Sequence, residues 1–303
     1  MRPGFAKIAL MLRRGKFRAF MLCLIASTFA LFGCESLHDQ FREPPKQEQQ
    51  QTQQAPDPRS VVNSVHLPFG NPSNAAADPG NENNFLLVGG GSVISYNNAR
   101  GTANWAAWRT TRDDLGDSLR RPPFLTDPRL PRWYKRVLQS DYSGSGYDRG
   151  HLVPSADRFG DPRLNAETFL LTNIVPQNGT LNQYPWNDFE QHIRAEVRKG
   201  FDAYQIAGVY GEAGRLKDKI TVPTNCWKVV VLLKRGSDPA SIDENARVLA
   251  VDMPNQKDLA HEKWEPFRTT VRAIEQRTGL DIFTKLPREL QETLETRMEI
   301  RNR

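Results

Sequence analysis

Short apolar runs, broken by glycine-rich and polar stretches, dominate the middle of the chain, and their length and β-branched content predict strands. Residues 84–88 (Asn-Phe-Leu-Leu-Val), Gly89-Gly90-Gly91 and residues 92–96 (Ser-Val-Ile-Ser-Tyr) read as strand, turn, strand. Further strands are expected at 102–109, 168–172, 204–210, 227–233 and 246–252. The period changes at 187–200, where Phe189, Ile193 and Val197 recur every fourth residue and predict one buried helical face. Two more helices are expected at 268–278 and 287–300. Strands outnumber helices and do not alternate with them. The pattern therefore predicts an α+β fold around a central, largely antiparallel sheet flanked by helices, not a doubly wound one.

The first 33 residues follow a different logic. Arg2, Lys7, Arg13, Arg14, Lys16 and Arg18 precede an uncharged run from Ala19 to Gly33, and no acid falls among them. A basic head, a short apolar core and small residues at its end predict an export signal. The run is shorter than the roughly 20 residues of a spanning helix. Its end, Leu31-Phe32-Gly33-Cys34, resembles a bacterial lipobox, in which the cysteine carries lipid and begins the mature chain. Phe32 is bulky for that pattern, and an uncleaved signal anchor is the alternative; Arg13-Arg14 hints at twin-arginine export, which Gly15-Lys16 fits poorly. The chain is thus expected to divide into a lipoprotein-type signal (1–33), a tether (34–59) and one domain (60–303). The tether, Pro- and Gln-rich with almost no apolar residues, cannot bury enough surface to offset its ordering entropy.

Removing the signal changes the charge argument. The chain carries +6, and the signal holds six of the cations with no anion, so residues 34–303 are neutral. Overall basicity is therefore no evidence for a polyanionic partner. Of three cysteines, Cys23 leaves with the signal and Cys34 takes lipid, so Cys226 stands alone and is expected to be a small buried hydrophobe.

Candidate chemistry concentrates in Asp148-Arg149-Gly150-His151, directly after the Gly/Ser-rich turn at Ser143–Gly146. An imidazole can take a proton near neutral pH, a guanidinium can hold a phosphate oxygen, and a glycine lets a polyanion approach the backbone. These ingredients suit phosphodiester hydrolysis, although an Arg-Gly-His turn can also be purely structural. Downstream, Asn182 is expected in a loop and Glu190 in the first turn of the following helix. A loop amide and a helix carboxylate can converge on one hard cation such as Mg²⁺, which needs few protein ligands. Each alone has a bland explanation, as a turn residue and as an acid favoured at a helix N-terminus. His38, His66, His192 and His261 lack the setting of His151 and are expected to play no chemical part.

Together these stretches resemble the DNA/RNA non-specific endonucleases, of the ββα-metal fold. The resemblance spans nearly the whole domain: Ser95-Tyr-Asn, Asn104-Trp, Ser143-Gly-Ser-Gly-Tyr-Asp-Arg-Gly-His-Leu-Val-Pro-Ser-Ala-Asp-Arg158, Thr172-Asn-Ile-Val-Pro-Gln177, Trp186 with Glu190, Val222-Pro-Thr, Trp227-Lys-Val, Pro254-Asn and the helix from Val271. It implies His151 as general base and Asn182 as the one direct protein ligand of a Mg²⁺ that Mn²⁺ can replace. It implies Glu190 at that metal's water shell, Arg149 in the active site and Arg120 on the phosphate, with Arg121 the adjacent alternative. Asp148 is expected to hold the turn and Arg149 in place rather than to act chemically, with Gly150 as further structural support. Gln183-Tyr184-Pro185 departs from the family's usual residues after the metal asparagine, which puts a contact to substrate or to the water shell in doubt.

The implied reaction is Mg²⁺-dependent, sequence-non-specific cleavage of DNA and RNA to 5′-phosphate products, outside the cytoplasm, by a domain lipid-anchored at Cys34. Two rivals are a non-catalytic DNA-capture lipoprotein, which would be expected to lose His151, Asn182 or Glu190, and a metal-dependent phosphodiesterase on a smaller substrate. The sequence ranks neither DNA against RNA nor one strand against two, and leaves open dimerisation and a protein inhibitor as partner.

Overall fold

The computed structural model describes residues 64–117 and 121–299. The expected signal, tether and lipidation site at Cys34 lie outside them, as does Arg120.

Within the described residues the strands, in chain order, are β1 (Phe85–Val88), β2 (Val93–Asn97), β3 (Thr102–Thr110), β4 (Asp148–His151), β5 (Ile174–Gln177), β6 (Phe201–Tyr210), β7 (Gly214–Leu216), β8 (Ile220–Val222), β9 (Asn225–Lys234) and β10 (Arg247–Pro254). Six of them form one sheet in the order β1-β2-β3-β6-β9-β10, with every neighbouring pair antiparallel. β4 and β5 form a separate antiparallel pair, and β7 and β8 another. The helices are α1 (Pro162–Thr168), α2 (Asn187–Arg198), α3 (Val271–Thr278) and α4 (Arg288–Thr296).

The large sheet is covered on both faces, which is why its strands read as nearly continuous apolar runs. Successive residues of β3 alternate between two cores: Trp105 and Ala107 enter one, Ala106 and Trp108 the other. The first core packs β9 residues Val229 and Val231 against Val271 and Ile274 of α3 and Leu294 of α4. The second packs Val230 and Leu232 against Phe189, Ile193 and Val197 of α2, and against Leu152 and Val175 beside the β4–β5 pair. The predicted helical face is thus the buried one, and the small β4–β5–α2 unit sits on one side of the sheet.

Three expectations need correction. Residues 168–172 are no strand of the large sheet: Thr168 ends α1, and Leu171–Asn173 is a 3₁₀ turn. Asp161-Pro162 starts α1, the Asp161 carboxylate accepting from the Arg163 N–H at 2.7 Å. Asp148–His151 is not a turn but strand β4, paired residue for residue with β5 from Asp148↔Gln177 to His151↔Ile174. Asn182 is not in a loop. It opens a π-helical stretch, Asn182–Trp186, that runs directly into α2. Pro185 lies in that stretch; lacking an N–H, and crowding the carbonyl four residues back, it favours the wider winding.

Candidate active site

β4 and the helical run after β5 meet at a cavity of about 600 Å³ lined by Arg121, Phe124, Asp148, Arg149, His151, Asn182, Gln183, Glu190 and Arg194, among others. The structure therefore brings His151, Arg149, Asn182, Glu190 and Asp148 together from separate segments.

His151 ends β4, and its ring lies edge-on to Phe169 at 5.0 Å and tilted against Phe124 at 5.6 Å. Those two phenyl groups are held by a backbone bridge: Leu125 N–H donates to the Phe169 carbonyl and Leu171 N–H to the Leu125 carbonyl. Burial, with the Arg121 charge as a second and smaller cause, pushes the His151 imidazole down to about 4. Nε2 is buried and has no hydrogen-bond partner in the protein. The ring is thus neutral at neutral pH and free to accept a proton. The Arg149 guanidinium lies over the Phe124 ring, 4.9 Å from its centre.

Gly150 serves packing, as its expected structural role has it, and not the approach of a polyanion. A Cβ there would sit 2.0 Å from Gln177 Oε1 and 2.4 Å from its Cδ. The missing side chain makes room for buried Gln177, not for a polyanion.

Asp148 does not hold Arg149. Its Oδ2 accepts from Asn182 Nδ2 at 3.0 Å and from Gln183 Nε2 at 3.0 Å. A carboxylate oxygen accepts, so this contact turns the Asn182 amide nitrogen toward Asp148 and leaves Oδ1 for an electron-poor partner. Glu190 Oε1 receives Lys228 Nζ at 3.1 Å, and its Oε2 lies 3.8 Å from Arg194 Nη1. Arg194 also meets Asp157 at 3.0 Å, and Asp157 further accepts from Trp108, Thr110 and Gln205. An amide oxygen and a carboxylate lining one cavity make a hard donor set that fits Mg²⁺.

The carboxylates of Glu275, Asp281 and Glu295 lie within 4.8 Å of one another. They belong to the α3–α4 side of the sheet and take no part in the cavity.

Arg121, the alternative to Arg120, lines the cavity. Sequence reasoning missed Arg194, Asp157, Phe124 and Lys228; the i,i+4 spacing of Glu190 and Arg194 on one helix was the available signal. His66 ties strands together, its Nε2 3.0 Å from the Gly90 carbonyl and its Nδ1 accepting from the Arg109 N–H. His192 packs on Trp264 and His261 on Tyr184. Cys226 is fully buried, and burial raises its thiol to about 12, as expected of an inert core residue.

Comparison with known proteins agrees. A family model for DNA/RNA non-specific endonucleases matches residues 70–289. The chain is 41% identical over 238 residues to a nuclease of Nostoc sp. (strain PCC 7120 / SAG 25.82 / UTEX 2576), covering 78% of this chain and 86% of that protein. It is 29% identical over 233 residues to a nuclease of Serratia marcescens, covering 72% of this chain and 82% of that protein. Among solved structures, EndoG in the EndoG/EndoGI complex aligns with a TM-score of 0.62 at 22% identity, over 78% of this chain and 95% of that one. That likeness identifies the arrangement of β4, β5 and α2 against an antiparallel sheet as the ββα-metal nuclease fold. The chain belongs to the DNA/RNA non-specific endonuclease family and is a nucleic-acid-hydrolysing endonuclease.

Proposed function

We propose that the cavity cleaves DNA and RNA phosphodiester bonds without regard to sequence, using His151 as general base and one Mg²⁺, which Mn²⁺ can replace, held directly by Asn182 Oδ1. The observation that carries this reading is the partnerless, buried Nε2 of a neutral His151 in the same cavity as a pre-oriented amide oxygen. Nε2 takes a proton from water, whose oxygen then forms the new bond to phosphorus. Arg149, with Arg121 or the neighbouring Arg120, steadies the charge gathering on the phosphate oxygens. When bound, the metal supplies positive charge to the phosphate and to the departing 3′ oxygen. Glu190 would help to hold that ion through its water. Bond breakage on the 3′ side leaves 5′-phosphates. Guanidinium contacts to phosphate carry no base information, so cleavage ignores sequence.

We further propose that an export signal precedes a tether and that Cys34 carries lipid, placing the domain outside the cytoplasm. A protein inhibitor, such as EndoG meets in the EndoG/EndoGI complex, is a further partner we propose for this chain.

Plasmid DNA, RNA and bis-p-nitrophenyl phosphate, each incubated with and without Mg²⁺ or Mn²⁺, test the reading. Cleavage of both polymers is expected to stop with EDTA and in His151→Ala. Cleavage that survives either treatment, or turnover of the small ester alone, overturns it.

A further inference from the structure

Lys228 lies at the middle of β9, opposite Ala207 of β6 and Val251 of β10, and is completely buried. Taking an ammonium out of water costs several kcal/mol even after relaxation, and an apolar side chain of similar volume often serves a core as well or better. Stability alone therefore does not explain a lysine here. Its surroundings do. Nζ meets Glu190 Oε1 at 3.1 Å and lies over two indole rings, 4.4 Å from the Trp186 centre and 5.1 Å from that of Trp108. Trp186 closes the π-helical stretch that Asn182 opens. One buried cation thus touches Glu190 directly and the helical segment of Asn182 through an aromatic ring.

The rest of the charge set fits this arrangement. Asp157, Arg194, Glu190 and Lys228 form a chain of two anions and two cations. Within it, Arg194 is shared with Asp157, while Lys228 makes the shorter contact to Glu190. Without Lys228, Glu190 keeps only Arg194, on its own helix, and loses the contact that reaches it from the sheet.

We propose that Lys228 is the positioning residue of the metal half of the site: from inside the core it aims the Glu190 carboxylate at the cavity and braces, through Trp186, the segment bearing Asn182. This rests on the reading of Asn182 and Glu190 as metal-holding residues given above.

The test is Mn²⁺ binding, followed by electron paramagnetic resonance on the chelator-stripped protein, for the native chain, Lys228→Met, Glu190→Gln and the double variant. Outer-shell partners of metal ligands change affinity by roughly 10–100-fold when removed. Lys228→Met is expected to weaken Mn²⁺ binding within that range and to lower kcat on plasmid DNA with KM little changed. The double variant is expected to bind no more weakly than the weaker single one by more than a factor of about two, because coupled residues are non-additive. Since the double variant removes one charge of each sign, it folds where Lys228→Met alone does not, and its comparison with Glu190→Gln then decides the matter. Native-like Mn²⁺ affinity in Lys228→Met, or losses in the double variant that multiply, would overturn the proposal. Failure of the native protein itself to bind Mn²⁺ would instead overturn the metal reading on which it stands.

Discussion

The imidazole of His151 offers the sharpest test of how the cavity works. Burial against Phe124 and Phe169, aided by Arg121, lowers it from 6.5 to about 4. At pH 6.5 that leaves roughly one imidazolium in 300, where an unperturbed histidine would be half protonated. The proposed proton acceptor is therefore ready across the whole neutral range, and acid inactivation through this residue is expected to be displaced well below pH 6. The Cε1–H resonances of the metal-free protein can be followed by NMR from pH 3 to 8. The chain has five histidines, and the peak missing from His151→Gln identifies the relevant one. Its midpoint is expected near 4. Arg121→Gln should move it upward, since a nearby cation disfavours the imidazolium. Because burial is the larger cause, that variant should recover less than half of the gap to 6.5. A native midpoint near 6.5, or a downward move in Arg121→Gln, refutes the account.

Three other expectations follow from the same structure. Gly150→Ala forces a methyl into Gln177 and is expected to cost about 1–3 kcal/mol in urea unfolding, most of it recovered when Gln177→Ala is added. Asp148→Ala frees the Asn182 amide to turn; plasmid cleavage should fall by roughly 10–100-fold while Tm stays close to native. Glu275 is raised to about 7 by burial and by Glu295. A raised carboxyl stabilises the fold below its unfolded pKa and loses that contribution as pH climbs through its folded one. Glu275→Gln should therefore gain stability over the native chain progressively between pH 4.5 and 8; equal Tm differences at pH 5 and pH 8 would contradict it.

Much of the site was legible because its chemistry needs residue types that the sequence displays openly. His151, Arg149, Asn182 and Glu190 share one cavity, as expected, and the Phe189–Ile193–Val197 face of α2 is buried where its period placed it. What the sequence hid were relations set by pairing across distance. Asp148 looked like a support for Arg149, its chain neighbour, but cross-strand pairing turns it to Asn182 and Gln183. Gly150 looked like an opening for substrate because nothing local shows that Gln177, 27 positions later, fills the space. The stretch 168–172 has the composition of a strand, yet a capped helix ending at Thr168 takes its first residue and a 3₁₀ turn its last two. Lys228 was quoted only as part of Trp227-Lys-Val, and its role went unread for the same reason: nothing local shows that both faces of its strand are covered or that Glu190 lies against it.

The place of β9 in the sheet bears on the order in which the enzyme comes into being. Every cavity residue lies between Arg121 and Arg194 and so leaves the ribosome before Asn225, the first residue of β9. A nascent chain stopped short of that strand already carries every residue that lines the cavity but not the side chain that meets Glu190 from the sheet. Competence to cut is thereby deferred to the insertion of a late, interior strand, and a truncated copy that keeps every cavity residue would still lack the proposed brace.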